Sequence, residues 1–352
     1  MINVTAPGKM ILLGEYAVLD DAPALVCAVE KVAIVSMDAL EGQEFRFSAP
    51  SLGLLHIPFV VTPKGHVRFD PAQEAELAPR LQLFARMFEF AYRHLQPKKR
   101  HGWSVRIVTD DFYSRTFHTK LGFGSSAAMC VALVTAMNRA FRSEWEEEAL
   151  FRLALEAHHY AQGKVGSGID VAASFFGGYL VYRRVYRDDP PGKLPEKLSA
   201  CPGLYFTPVF TGKSASTAHM VQGVGRLKES HPAQYQKLME HLKEISTRGS
   251  AHFKEGNAAA FLQDVKEFYA ALQELGQRSG VPIISQPHRR LAELAQEAGV
   301  AYKPSGAGGG DIGILFSDDA ERLSVAEAKV RQGGFHPLAL SVARQGRRIL
   351  TD

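Results

Sequence analysis

A chain of 352 residues with 46% apolar and 22% charged side chains can bury a large core, and the usual span of domains divides it into two. That composition excludes the disordered and low-complexity classes, and no internal repeat points to a solenoid. Lys and Arg exceed Asp and Glu by only 41 − 37 = 4, spread along the chain, so nucleic acid is not an expected partner.

The opening "MINVTAPGKM" lacks a basic region followed by an apolar one, and no apolar run approaches the roughly 20 residues that span a bilayer. Cys27, Cys130 and Cys201 are far apart and form no CxxC pair. A cytoplasmic, reducing setting away from membranes is expected. "KVAIVSMDAL", "EFRFSA" and "WSVRIVTD" read as strands. Between the last two, Leu77, Leu81, Phe84, Phe88, Ala91 and Leu95 recur at helical steps and mark one apolar stripe. "PKKRH" after it reads as a solvated turn. Ala127 to Phe141 has the composition of a buried helix. Ser143 with Glu146 has the spacing of a capping box for the next helix, running to about Gln162. A loop, "GKVGSGID", then leads into a short apolar helix and a strand over Tyr179 to Tyr182. Four prolines between Asp188 and Gly203 mark a boundary, giving expected domains of 1–195 and 196–352. Helices dominate to about Gly299, after which "GGGDIGILF" and "HPLALSV" read as strands, so the overall class is α+β.

Four segments combine glycine, which permits close backbone approach, with groups able to bind phosphate, metal or a proton: 6–15 (APGKMILLGE), 120–128, 163–170 and 303–311 (KPSGAGGGD). Glycines followed by serines and an apolar run, as in "KLGFGSSAAM", suit an anion seat at a helix N-terminus. Two rival phosphate signatures fail. The only GKS, Gly212-Lys213-Ser214, has Thr207 where a P-loop needs glycine. The G-x-G-x-x-A run ending at Ala127 follows polar residues that cannot form the apolar parallel strand of a dinucleotide fold.

The segments "APGKMILLGEYAVL", "LGFGSSAA" and "KPSGAGGGDIG", in this order, resemble the three motifs of the GHMP kinase superfamily over almost the whole chain. Within it, Tyr16 in "GEYAVL", "GKVGSGIDVAASFFGG" and "FTGKSAST" look most like the phosphomevalonate kinases; mevalonate kinases usually carry histidine in place of Tyr16. The resemblance implies a ribosomal protein S5 domain 2-like N-terminal domain and a ferredoxin-like C-terminal α/β sandwich. It also implies ATP- and Mg²⁺-dependent phosphorylation of 5-phosphomevalonate to the diphosphate, with mevalonate or another small alcohol as the alternative acceptor. A sensor that binds nucleotide without turnover is a third reading.

The same resemblance assigns the residues. Lys120, Gly122, Gly124, Ser125, Ser126 and Ala127 would hold the triphosphate, and Ser126 the Mg²⁺, with Ser125 close behind. Lys9 and Asp170 would act at the acceptor as a pair, helped by Lys120, Lys164 or Arg115. Tyr16, Ser167, Ser216, Thr217, Ser305, Gly306 and Gly308 would complete the acceptor site; Ser216 and Thr217 also suit the N-cap of a helix starting near Ala218. Glu156 lies three residues further from Asp170 than the mevalonate kinase glutamate does, so the resemblance names no carboxylate for the magnesium shell. His158 and His159, about 100° apart on a helix, cannot share one ion, and no catalytic role is expected of them. A monomer or a homodimer is expected.

Overall fold

The computed structural model describes residues 1–97, 101–114, 116–163, 166–186, 189–190 and 192–350. Arg115, Lys164 and the basic residues of "PKKRH" up to Arg100 lie outside them.

The first domain is built on a long strand. β1 (Ile2–Leu13) pairs antiparallel with β2 (Ala24–Ala39), in which Ala33, Val35 and Met37 alternate inward as a half-buried strand requires. β3 (Phe45–Ala49), β4 (Leu54–Val61) and β5 (Val67–Phe69) extend the sheet, and α1 (Pro71–Leu95) crosses it. The stripe read in the sequence is what docks α1. Phe84 stacks on Phe47 at 3.9 Å between ring centroids, and Phe88 meets Phe45 and Phe59 edge-on. β6 (Trp103–Val108) inserts between β2 and β3.

Three helices follow: α2 (Ser125–Phe141), α3 (Glu147–Ala161) and α4 (Ile169–Phe176). α2 is rich in alanine, so it can lie close against β1 and β2 while touching α1, α3 and α4. The expected capping box is absent. Ser143 Oγ donates to Leu95 O at 2.7 Å, Glu144 sits at φ 54°, and α3 starts only after Glu146. β7 (Tyr179–Tyr182) and β8 (Glu196–Leu198) finish one edge.

Beyond β8 the chain enters a second sheet. β9 (Tyr205–Phe210) is followed by α5 (Thr217–Ser230), α6 (Pro232–Lys254), α7 (Ala258–Ser279) and α8 (Gln286–Glu297). Then come β10 (Ala301–Ser305), β11 (Ile312–Ser317), α9 (Ala320–Gln332) and β12 (His336–Pro337). The strand order is β10-β11-β9-β12, all antiparallel. Of "HPLALSV" only the first two residues form a strand. The rest leaves the second domain: Val342 bridges Val29, Ala343 exchanges hydrogen bonds with Ala28 and Gly178, and β13 (Arg348–Leu350) pairs with β1.

Among the described residues the first sheet thus has nine strands, with β8 and β13 included. The sheet therefore takes strands from both sides of the expected division at 195/196. Both strands are short and mostly exposed, with no apolar alternation to mark them as parts of that sheet. The two connections between domains meet the first sheet beside each other, since residues 198–200 and 341–346 wall one groove.

Candidate functional site

The stretch between Lys120 and Ser126 turns on two glycines. Gly122 and Gly124 have φ 79° and 80°, a region L side chains rarely adopt. At Gly122 a Cβ would stand 2.7 Å from the Cβ of Asp311; at Gly124 it would meet Lys9 Cγ at 3.1 Å and Asp170 Cβ at 3.7 Å. The absence of side chains therefore lets Lys9, Asp170 and Asp311 close around the loop. Gly124 is also the N-cap of α2, which points the positive end of its dipole into the same space. Ala127 is fully buried and its N–H returns to Gly124 O at 3.1 Å, so its contribution to an anion seat is indirect.

Lys9 reaches this place because β1 runs alongside: its own N–H donates to Phe123 O at 2.9 Å, and its Nζ donates to Gly122 O at 3.3 Å. Among the described residues it makes no ion pair with Asp170, contrary to the pairing expected. Asp170, in the first turn of α4, accepts from Val171 N–H at 3.0 Å. Burial pushes the Asp311 carboxyl above the usual range, opposed by the Lys9 charge and by the Ala215 N–H.

The second domain closes the cleft. Tyr16, held at φ 60°, donates its hydroxyl to Ala307 O at 2.6 Å. Ser305 Oγ accepts from Ile11 N–H and donates to Ile11 O, both at 3.0 Å. Glu15 accepts from buried Lys303 and from Gly306 N–H. The Tyr16 and Ser305 hydroxyls, expected to hold the acceptor, are thus tied across the domain junction. Tyr16 still lines the cleft; Ser305 does not, nor does Gly308, which presses on Ile283. Ser216 caps α5 by accepting from His219 N–H at 3.4 Å and lies outside the lining, whereas Ser167, Thr217 and Gly306 are part of it.

Lys9, Tyr16, Lys120, Gly122, Gly124, Ser125, Ser126, Ser167, Asp170, Thr217 and Gly306 therefore surround one cleft of about 610 Å³, within the size range of small-molecule sites. Both histidines set aside on the sequence are there too. His158 Nε2 is 3.2 Å from Ser126 Oγ, and Gln162 Nε2 donates to the same oxygen at 2.9 Å. His159 Nε2 is buried without a hydrogen-bond partner among the described residues, and burial, then His158, lowers its pKa.

No group of three His, Cys, Asp or Glu side chains among the described residues could hold a metal ion. The oxygen donors of the cleft wall at the glycine loop include the Ser125 and Ser126 hydroxyls and the Asp170 and Asp311 carboxylates. Mg²⁺ keeps waters and takes one or two protein oxygens besides substrate phosphates. These residues therefore fit a cation carried in by phosphate and do not fit a resident one. No helix of the described residues is long and apolar enough to cross a membrane.

Residues 83–178 match the family model described as GHMP kinases N terminal domain, and 255–335 match GHMP kinases C terminal. A phosphomevalonate kinase of Streptomyces sp. is 30% identical over 97% of this chain and 97% of its own. A mevalonate kinase of Archaeoglobus fulgidus is 30% identical over 89% of this chain and 90% of its own. The solved structure of Streptococcus pneumoniae phosphomevalonate kinase in complex with phosphomevalonate and AMPPNP superposes with a TM-score of 0.79, covering 97% of this chain and 100% of that one, at 20% identity; it shows a shared fold. Two domains around one glycine-lined cleft, two matching family models and a full-length relative together establish that the chain belongs to the GHMP kinase family.

Proposed function

We propose that this GHMP kinase transfers the γ-phosphoryl group of ATP to the phosphate of 5-phosphomevalonate, giving the diphosphate in the mevalonate route to isoprenoids. The observation that carries the reading is Lys9, whose ammonium stands at the glycine loop bonded to a carbonyl and not neutralised by Asp170. Phosphoryl transfer needs positioning and positive charge more than covalent help from the protein. A phosphate-bearing acceptor, whose second pKa is about 6, needs no strong base but brings a second polyanion into the cleft. Lys9 and Lys120 offset that repulsion.

In this reading the N–H groups of Ser125 and Ser126 and the α2 dipole hold the nucleotide phosphates. Mg²⁺ arriving with ATP supplies further positive charge there, and the Ser126 hydroxyl and Asp170 are the oxygens that would meet it. Thr217, Ser167 and Gly306 bound the acceptor side of the cleft, and the ties of Tyr16 and Ser305 hold the second domain's loop against it. Ser216 and Gly308, outside the cleft wall, would hold α5 and the glycine segment in place without touching the acceptor.

Mevalonate is the second reading, favoured by the Archaeoglobus relative at equal identity and by an Asp170 carboxylate that makes no ion pair among the described residues, which an alcohol acceptor would need as a base. The deciding experiment is ADP release with ATP and Mg²⁺, offering each acceptor separately. Turnover confined to 5-phosphomevalonate supports the proposal; turnover confined to mevalonate replaces it. Nucleotide binding with no ADP release from either would indicate a sensor.

A further inference from the structure

The polar cluster behind Ser126 has a proton count that leaves two arrangements. His158 and Gln162 lie four residues apart on α3 and its C-cap, so they share one face and both reach the same hydroxyl. A serine hydroxyl offers one proton and two lone pairs. Gln162 Nε2–H fills one lone pair. If neutral His158 carries its proton on Nδ1, its Nε2 accepts the Ser126 proton, and the second lone pair is left for the cleft. If the proton sits on Nε2, both lone pairs are filled and the O–H points at whatever the cleft binds. Only the first arrangement suits a cation.

We propose that His158 is a positioning residue for the nucleotide-borne cation: as the Nδ1–H tautomer it takes the proton of Ser126 and turns that hydroxyl's free lone pair into the cleft. Its burial, at 3% exposure, fixes the ring, and Glu156 on the same helix is not part of the cleft wall. The pair behind the hydroxyl is therefore an imidazole and an amide, neither of them a carboxylate. The cation then gains an oriented oxygen at Ser126 with no carboxylate behind it, so its negative charge would come from Asp170 and the nucleotide phosphates. This inference rests on the glycine loop as the nucleotide site and not on the identity of the acceptor.

The test is a Mn²⁺ titration of the whole chain followed by electron paramagnetic resonance, with a non-hydrolysable ATP analogue, beside nucleotide binding in EDTA. His158→Leu should weaken Mn²⁺ in the ternary complex about tenfold or more, as loss of an oriented ligand partner does, while binding in EDTA is unchanged. His158→Gln, whose amide oxygen can accept the same proton, should recover most of the loss. Unchanged Mn²⁺ affinity in the leucine variant, or equal loss with and without metal, overturns the proposal. The ¹⁵N shifts of His158 in the unsubstituted protein give a check that needs no variant: an Nδ1–H tautomer is expected, and Nε2–H overturns it. No acceptor is present in either measurement, so an error in the acceptor would leave both results as they are.

Discussion

His288 shows how one buried side chain ties acid stability to the cleft. Its Nε2 lies 3.0 Å from Gly310 O, which can only accept, so that nitrogen bears the proton; Nδ1, 2.7 Å from the Tyr302 hydroxyl, accepts. Burial pushes its pKa down to about 4 from the ordinary 6.5. Between those values the unfolded chain binds the extra proton and the folded one does not. Stability from this group is therefore full above about 6.5, falls as pH drops toward 4, and changes no further below. Denaturant unfolding at pH 7 and pH 4.5 should show the protein losing about 2 to 3 kcal/mol more than a His288→Gln variant. Equal losses would mean that His288 does not carry the acid sensitivity. The residues of the glycine loop were legible because glycine, lysine and hydroxyl lie together in short runs. His158 was not: its partner Ser126 lies 32 residues away. Adjacency on one helix excludes only an ion shared with His159 and leaves separate partners open.

Elements were legible where the apolar period was long. The stripe of α1 fixes a face and appears as read, and the strands read over "KVAIVSMDAL" and "WSVRIVTD" fall in β2 and β6. Local polar signals did worse, because a serine can bond a distant carbonyl instead of its own helix, as Ser143 does with Leu95. Ser216 is the opposite case, a local signal that holds. Removing its cap with Ser216→Ala should cost about 1 kcal/mol, lowering the melting temperature while leaving the acceptor KM unchanged. Thr217→Val, on the cleft wall, should raise the acceptor KM with a smaller change in melting. A raised KM in the alanine variant would bring Ser216 into the acceptor site.

At the scale of the whole molecule, the two domains meet through buried charge. Lys303 and Glu15 are both within 1% of full burial. Burial lowers the lysine pKa, and the Glu15 charge and hydrogen bond oppose that shift. Lys303→Met should cost about 3–5 kcal/mol in equilibrium unfolding, because it leaves a carboxylate buried and unpaired, whereas the double variant Glu15→Gln with Lys303→Met should recover most of it. No recovery would mean the cost lies in packing. Such a contact is invisible in sequence, since 288 residues separate the partners.

The return of the chain from β12 to β13 has a mechanical consequence. A single linker would let the second domain swivel in any direction, but here two covalent connections join the first sheet at one groove, the outgoing one after Leu198 and the returning one before Val342. Like a door on two pins, the pair permits rotation about the line through both and resists torsion around either. Any opening of the cleft must follow that one axis, and the Tyr16, Ser305 and Lys303 ties are the latch it would have to release.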